Sequence, residues 1–350
     1  MDCGSRRGGS AGRHEGRGAW RRGLCSVLAL LALCAIASPA RAAEEVRIGI
    51  GYGLAFLPAY ICQDLKLVEK YAKARHLNVK ADYERFLGAG PVQDAIESGA
   101  IDMGPFGTAP LLLAWQQSKN ARRQILAVSG MTTLPLALLT DRPNIRSIAD
   151  LRASDRIAVP TLTSPQMYFL QMESDKVFGQ YDRLRSQVVK LSHAAALAAL
   201  FGGAGPVTAY FASPPYTQIA LKNAKIHQIL DSEQVIGGKA SFLVLGSTRR
   251  YIETHPQIPQ VIDAAMDEAA RLIHDDPAGA ARIYLTHEPS KALDAGDIEA
   301  VLKDNKDEFG SAVQGIAAFA AFMARHGQLP TPPKSWKDVV APALWNSPSS

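Results

Sequence analysis

Cysteine is nearly absent from most of this 350-residue chain. Of its four cysteines, Cys3, Cys25 and Cys34 lie in the first forty residues and only Cys62 lies beyond them. A lone cysteine excludes a disulfide framework and a cysteine-built metal site, so stability must come from packing. Excess charge is missing from the same region. Residues 1–42 hold seven arginines against Asp2 and Glu15, which accounts for the whole net charge of +5 and leaves 31 basic and 31 acidic side chains after them. No basic stripe remains for nucleic acid. The N-terminal apolar run, Leu24–Ala37 ("LCSVLALLALCAIA"), is only fourteen residues long, where a membrane span takes about 20. Arginines precede it and "SPARA" follows, with Ala40 and Ala42 at −3 and −1 of a cleavage site. Residues 1–42 therefore read as a secretory signal peptide cut after Ala42.

Signatures of catalysis are as scarce. There is no G-x-S-x-G elbow. The stretch "GIGYG" (49–53) lacks the third glycine of a dinucleotide fingerprint, and "GGAGP" (202–206) reads as a helix stop and turn. Cys62 lies mid-helix among apolar neighbours and reads as a buried, inert thiol. Asp102 follows Gly99-Ala100-Ile101 on a strand, where a structural hydrogen bond is expected. His193 opens a helix and reads as its N-cap. His255, His274, His287 and His326 fall in helical surface segments without metal-ligand spacing. No catalytic residue, metal or cofactor is expected, which favours a binding protein over an enzyme.

What is present is a duplicated strand–helix pattern. From Val46, "VRIGIGYG" is a strand breaking into glycine, and "LPAYICQDLKLVEKYAKARH" has helical spacing with Leu57, Ile61, Leu65 and Val68 on one face. "LNVKADYERF" is a second strand, "PVQDAIESG" a short helix, "AIDMGPF" a third strand and "GTAPLLLAWQQSK" the next helix. From Asp155 the order returns as "DRIAVP", "PQMYFLQMESDKVFGQY", "RSQVVKLS", "HAAALAALFGG", "PVTAYFA" and "SPPYTQIALKNA". The offset of roughly 105 residues sets Gly99 against Gly203 and Thr108 against Ser213. It predicts two equivalent α/β lobes with mostly parallel sheets. Ligands of such sheets bind beyond the carboxyl ends of the strands. There, loops of small residues open helices whose first N–H groups face outward. Thr108 and Ser213 also suit capping of their own helices.

Read together, "GPVQDAIESGAIDMGPFGTAPLL", "SIADLRASDRIAVP", "SPPYTQIA" and "YIETHPQIPQVIDAAMDEAARLIHDDPAGAARIY" resemble the substrate-binding proteins of the nitrate, sulfonate, taurine and thiamine-precursor family of ABC importers. The tail "FAAFMARHGQLPTPPKSWKDVV" is similar to that family's closing helices, so the resemblance covers roughly 46–340. It implies a type II periplasmic binding protein fold. One lobe would combine 44–135 with 243–350 and the other would span 136–242. Crossing segments near Met131–Leu139 and Gly237–Val244 would serve as the hinge. The resemblance also implies a periplasmic monomer that takes a small-molecule ligand and delivers it to a membrane permease and, indirectly, its ATPase.

Carried over by position, the family's contact regions fall on Gly53, Leu54 and Phe56, on Phe106, Gly107 and Thr108, and on Met131 and Thr132. In the second lobe they fall on Thr163, Ser164 and Gln166, and on Tyr210, Ser213, Pro214 and Tyr216. Two positions depart from the family pattern: Thr208 replaces an acid, and Ser213-Pro214-Pro215-Tyr216 replaces an aromatic-acid-Pro-Tyr segment. No Lys or Arg lies in the four proposed loops, so a bound anion would rely on backbone N–H groups and hydroxyls. Of the nearby aromatics Tyr52, Phe56, Tyr60, Phe106, Tyr168, Tyr210 and Tyr216, about three are expected to wall a cleft for an organic body. A sulfonate is the first expectation and a neutral heterocyclic thiamine precursor the second. The rival class is an enzyme of cofactor-precursor metabolism on the same scaffold.

Overall fold

The computed structural model describes residues 43–346 and 349, apart from 87, 88, 118–120, 204 and 206. The expected signal peptide lies outside the described residues. The first half of the pattern runs β1 (Glu44–Ile50), a 3₁₀ turn (Leu54–Phe56), α1 (Leu57–Asp64), α2 (Leu67–Ala74), β2 (Val79–Arg85), α3 (Ala89–Ser98), β3 (Met103–Phe106), α4 (Thr108–Gln117), β4 (Ile125–Thr132) and β5 (Ala137–Thr140). The second runs β6 (Ile157–Val159), α5 (Pro165–Phe178), β7 (Val188–Lys190), α6 (His193–Phe201), β8 (Ala209–Ala212), α7 (Tyr216–Leu221), β9 (His227–Asp231), α8 (Ser232–Ile236) and β10 (Leu243–Thr248). Five helices close the chain: α9 (Arg249–Thr254), α10 (Ile258–Asp275), α11 (Pro277–His287), α12 (Ala295–Asp304) and α13 (Ile316–Arg325).

The duplication is visible in the sheets, which run β2-β1-β3-β10-β4 and β7-β6-β8-β5-β9. In each, three strands pair in parallel and one antiparallel strand comes from beyond its own repeat: β10 lies beside β3 and β4, and β5 beside β8 and β9. Composition follows position. β4, last in its sheet order, is buried at all eight residues, "ILAVSGMT", because the chain at Phe309 and Val340 covers its outer edge. β2, at the opposite edge, alternates half-buried with exposed residues. Gly99 and Gly203, the pair matched by the repeat, both hold positive φ (77° and 62°) just past α3 and α6, where a side chain would be strained.

One expected helix breaks in two. Lys66 takes a left-handed conformation with φ 50° between α1 and α2, which an α-helix cannot continue. Leu65, expected on the apolar face, is 49% exposed as a result. Each fragment turns its own apolar side inward instead, Tyr60 and Ile61 from one and Leu67, Val68 and Ala72 from the other.

The chain passes between the sheets twice, after β4 and after α8. The two passages are tied together: Phe242 N donates to Thr132 O at 2.8 Å, and Ser232 N donates to Leu136 O at 3.0 Å. Leu136 N returns a bond to Ser232 Oγ at 2.9 Å. Beyond them, α10 buries Ile258, Val261, Ile262, Ala265, Met266 and Ile273 in one core with residues of α1, α2 and β4. Each large aliphatic side chain so buried contributes about 1.5–3 kcal/mol. The closing helices were expected to pack back on the first lobe. α13 does so against α4 but also reaches the second lobe, where Phe319 meets Phe169 of α5 edge-on at 5.3 Å. His326 Nε2 lies 2.9 Å from Asp175 Oδ2 there too.

Candidate functional site

A cavity of about 590 Å³ opens between the two sheets, at the carboxyl ends of all six parallel strands. Gly51, Tyr52, Gly53, Ala55 and Phe56 follow β1, Phe86 follows β2 and Gly107 follows β3. From the other lobe, Pro160, Thr163, Ser164 and Gln166 follow β6, Ser192 and His193 follow β7, and Ser213, Pro214 and Tyr216 follow β8. Phe242 and Glu288 complete the wall. The lobes meet tightly at Gly107, where a Cβ would stand 2.4 Å from Pro165 Cγ. Glycine is required at that meeting point because any side chain would wedge the lobes apart.

The first lobe contributes a carboxylate. Glu288 Oε1 accepts from Gly53 N at 2.8 Å and lies 2.6 Å from Tyr60 OH, whose proton also faces the Gly51 carbonyl at 2.9 Å. Burial, with the bond to Glu288, raises the Tyr60 phenol far above its ordinary pKa, so it remains a donor. Behind this pair a chain of contacts runs outward. Arg85 Nη1 lies 3.9 Å from Glu288 Oε1, and Nη2 donates to His287 Nδ1 at 3.1 Å. His287 Nε2 is then left to donate to Asp64 Oδ1 at 2.9 Å. The His287 ring stacks on Tyr60 at 4.5 Å, and the Arg85 guanidinium lies 4.8 Å from the Tyr60 ring centre, a cation–π contact.

The second lobe contributes neutral groups. His193 faces the Tyr210 hydroxyl through Nδ1 and Ser213 Oγ through Nε2 at 3.2 Å, and its ring stacks on Tyr216 at 5.1 Å. Burial pulls the imidazole down to about 4 and the Tyr210 phenol well up, so at neutral pH both hold their uncharged forms. The neutral Tyr210 hydroxyl can donate to Nδ1 or accept from it, and Nε2 correspondingly donates to Ser213 or accepts its proton. Gln166 is 1% exposed, and its Oε1 has no hydrogen-bond partner among the described residues.

Nine of the fifteen expected site residues line the cavity: Gly53, Phe56 and Gly107, then Thr163, Ser164 and Gln166, then Ser213, Pro214 and Tyr216. The other six stand behind the wall. Leu54, Phe106, Met131 and Tyr210 are fully buried in the core. Thr108 is also buried, its hydroxyl donating to Ser241 O at 2.7 Å, and Thr132 donates to Glu308 O at 2.7 Å. Neither Thr108 nor Ser213 stands at the capping position: Thr108 is the first residue of α4 itself, and Pro215 precedes α7. Ser192, not His193, caps α6, accepting from Ala195 N. Thr208 bonds Arg156 N at 3.0 Å on the far side of the sheet and is no part of the lining. Of the seven aromatics, Tyr52, Phe56 and Tyr216 line the cavity and the rest are core.

Elsewhere, Asp102 forms the expected structural pair, taking Arg47 N at 2.8 Å and its guanidinium at 3.1 and 2.8 Å. Cys62 is buried, with burial raising its thiol pKa. Two of the histidines expected on the surface are not there: His287 and His326 are 13% and 16% exposed at the side chain. Sequence reading missed Glu288, the only charged side chain of the lining among the described residues, together with His193 as a wall residue, Phe86 and Phe242.

No family model and no curated protein sequence matches the chain. Solved structures do. The alkanesulfonate-binding protein SsuA of Xanthomonas axonopodis pv. citri, bound to MOPS, is 19% identical with a TM-score of 0.65, over 86% of this chain and 98% of that one. The periplasmic aliphatic sulphonate binding protein SsuA of Escherichia coli is 18% identical with the same TM-score and coverage. The desulfurization enzyme DszB is 12% identical with a TM-score of 0.57, over 85% of this chain and 96% of that one. The chain thus has the two-lobed type II fold of periplasmic binding proteins. One enzyme shares that fold, so the fold alone does not choose between capture and catalysis.

Proposed function

We propose that the chain is an exported solute-binding receptor of an ABC importer, which closes its lobes around a small organic ligand and passes it to a membrane permease. The observation that carries this reading is the cavity itself. Both lobes wall it, and they are joined by two short passages, 133–136 and 237–242, held at their ends by the Ser232–Leu136 and Phe242–Thr132 hydrogen bonds, which suits a hinge. The lobe boundaries near 135 and 242 follow from the same passages. The aromatic walls suit an organic body, and Thr163 and Ser213 bring hydroxyls to a polar end such as a sulfonate. The SsuA proteins, which share the fold, bind alkanesulfonates by their names.

The enzyme reading draws on the likeness to DszB and on the Ser213–His193 contact. It is the weaker one: among the described residues the His193 ring nitrogens meet only Tyr210 and Ser213, with no carboxylate behind them, and Cys62 is no part of the cavity wall. The protein is expected to be periplasmic and monomeric, with a single boundary by sedimentation. The deciding experiment is thermal melting of the exported protein against alkyl and aryl sulfonates, taurine, nitrate, organic amines and pyrimidine precursors. A ligand at a hundred times its dissociation constant adds about 2.7 kcal/mol, a shift of several degrees. A selective shift with the compound recovered unchanged supports the receptor; conversion of the compound would overturn it.

A further inference from the structure

The charges of the cavity are one-sided. Among the described lining residues there is one formal charge, the carboxylate of Glu288, and no lysine or arginine. Its Oε1 is saturated by Gly53 N, Tyr60 OH and Arg85, and no bond within the described residues reaches Oε2. Arg85 does not cancel the charge at contact. It stands 3.9 Å away and turns its other nitrogen to His287. The loop N–H best placed for an anion in this lobe, that of Gly53, is already occupied by Glu288. The field reaches across the cavity, since Glu288 contributes to raising the Tyr216 phenol, second to burial. From the second lobe, the buried Gln166 brings an oxygen that no donor among the described residues satisfies. An unpartnered buried acceptor is costly, and Gln166 stands in the wall that the other lobe gives to the same cavity as Glu288.

Building on the receptor reading, we propose that the ligand carries a positively charged N–H group, a protonated amine or amidinium-type nitrogen on an apolar or aromatic body, which Glu288 binds through Oε2 and Gln166 through Oε1. Closure then brings the two acceptors onto one donor group, so the cation itself couples the lobes. Tyr52, Phe56, Phe86 and Tyr216 supply aromatic surface that favours a cation over an anion. An acidic end elsewhere on the ligand remains compatible with the neutral hydroxyls of the second lobe. An anion lacking the nitrogen would lie near Glu288 with no cation of its own to meet.

The test uses shape-matched pairs on the exported full-length mature protein, read by calorimetry and thermal shift: propanesulfonate against 3-aminopropanesulfonate, and 3-phenylpropanol against 3-phenylpropylamine. The first pair asks whether the nitrogen matters when an acid is present, the second whether it suffices alone. The amine member of at least one pair should bind roughly tenfold to a hundredfold more tightly, the worth of a hydrogen bond to a charged group. Glu288→Gln should erase that preference while the melting temperature holds. If that variant does not fold, Gln166→Leu must weaken the amine and leave its partner compound unchanged. Tighter or equal binding of amine-free members, or a preference that survives both substitutions, overturns the proposal while the receptor reading stands. No binding by these pairs or by any compound of the wider panel would bring down both.

Discussion

Asp263 gives the sharpest thermodynamic expectation. It lies half-buried on α10, with no hydrogen-bond partner for Oδ1 among the described residues, and burial, opposed by a hydrogen bond from Ser311, pushes its carboxyl up to about 6. An unfolded aspartate titrates near ~3.9. Between those values the folded state holds a proton that the unfolded state has lost, so stability falls as pH rises through the window. Two units correspond to about 3 kcal/mol of destabilisation at pH 7. Asp263→Asn removes the charge but leaves an amide without a partner for its oxygen, so the net gain at pH 7 should be about 1–3 kcal/mol. For a chain with about 300 ordered residues that is roughly 2–5 °C in melting temperature. At pH 4, where Asp263 is already protonated, the gain should vanish. His193 acts in the opposite sense: held down at about 4, it refuses a proton that an unfolded histidine takes below ~6.5. Its stabilising share is therefore lost as pH falls from ~6.5 to ~4, and in the wild type the two groups offset one another. Calorimetric melts of wild type, Asp263→Asn and His193→Gln at pH 7 and pH 4 read this directly. A gain for Asp263→Asn that is equal at both pH values, or absent at pH 7, refutes the assignment of a strained carboxylate.

Two further substitutions check the architecture around the site. A Cβ at Gly130 would stand 2.2 Å from the Ala312 carbonyl oxygen and within 2.9 Å of the Ser311 backbone, and Gly130 N donates to Ser311 O at 2.6 Å. Gly130→Ala should cost about 2–3 kcal/mol by overpacking and loss of that bond, read as a melting temperature lower by roughly 3–5 °C; an unchanged melt would mean the 311–312 segment yields freely. Thr108→Arg and Ser213→Arg, equivalent by the repeat, should part company. The first puts a charge into a site 1% exposed and should abolish cooperative melting by circular dichroism, whereas the second fills the cavity and should block ligand binding with the fold intact. The reverse ranking would contradict the placement of the two hydroxyls.

The repeat was legible because its signal is local. Gly99 and Gly203 end helices for a reason of backbone conformation, and the loops after each parallel strand are short enough for small residues and prolines to mark them. The second residue of a pair that matches by spacing need not share its partner's surroundings, however. Thr108 and Ser213 occupy equivalent positions, yet β10 brings Ser241 onto Thr108 and no counterpart does so for Ser213. Helical periodicity misled at Leu65 for a related reason. The spacing of Leu57, Ile61, Leu65 and Val68 fits one helix, and nothing in four apolar residues announces that Lys66 takes a left-handed turn between two shorter ones.

Glu288 could not be found by that route. It follows α11, 235 residues from Gly53 whose N–H it holds, in a part of the chain that belongs to neither repeat. "THEP" has no spacing that distinguishes a cavity carboxylate from a solvated one. Its role depends on tertiary contacts alone: α11 packs against α1, which carries Tyr60, while His287 stacks on Tyr60 and Arg85 arrives from the end of β2. The duplicated loops thus build a cavity of nearly neutral, backbone-lined walls, equivalent in the two lobes and readable from either. The unduplicated C-terminal third then breaks that equivalence by adding one charge to one side. Proteins sharing this fold and its loops can change ligand class through such a residue without altering the pattern that identifies the fold, which is why the fold is more legible in the sequence than the ligand.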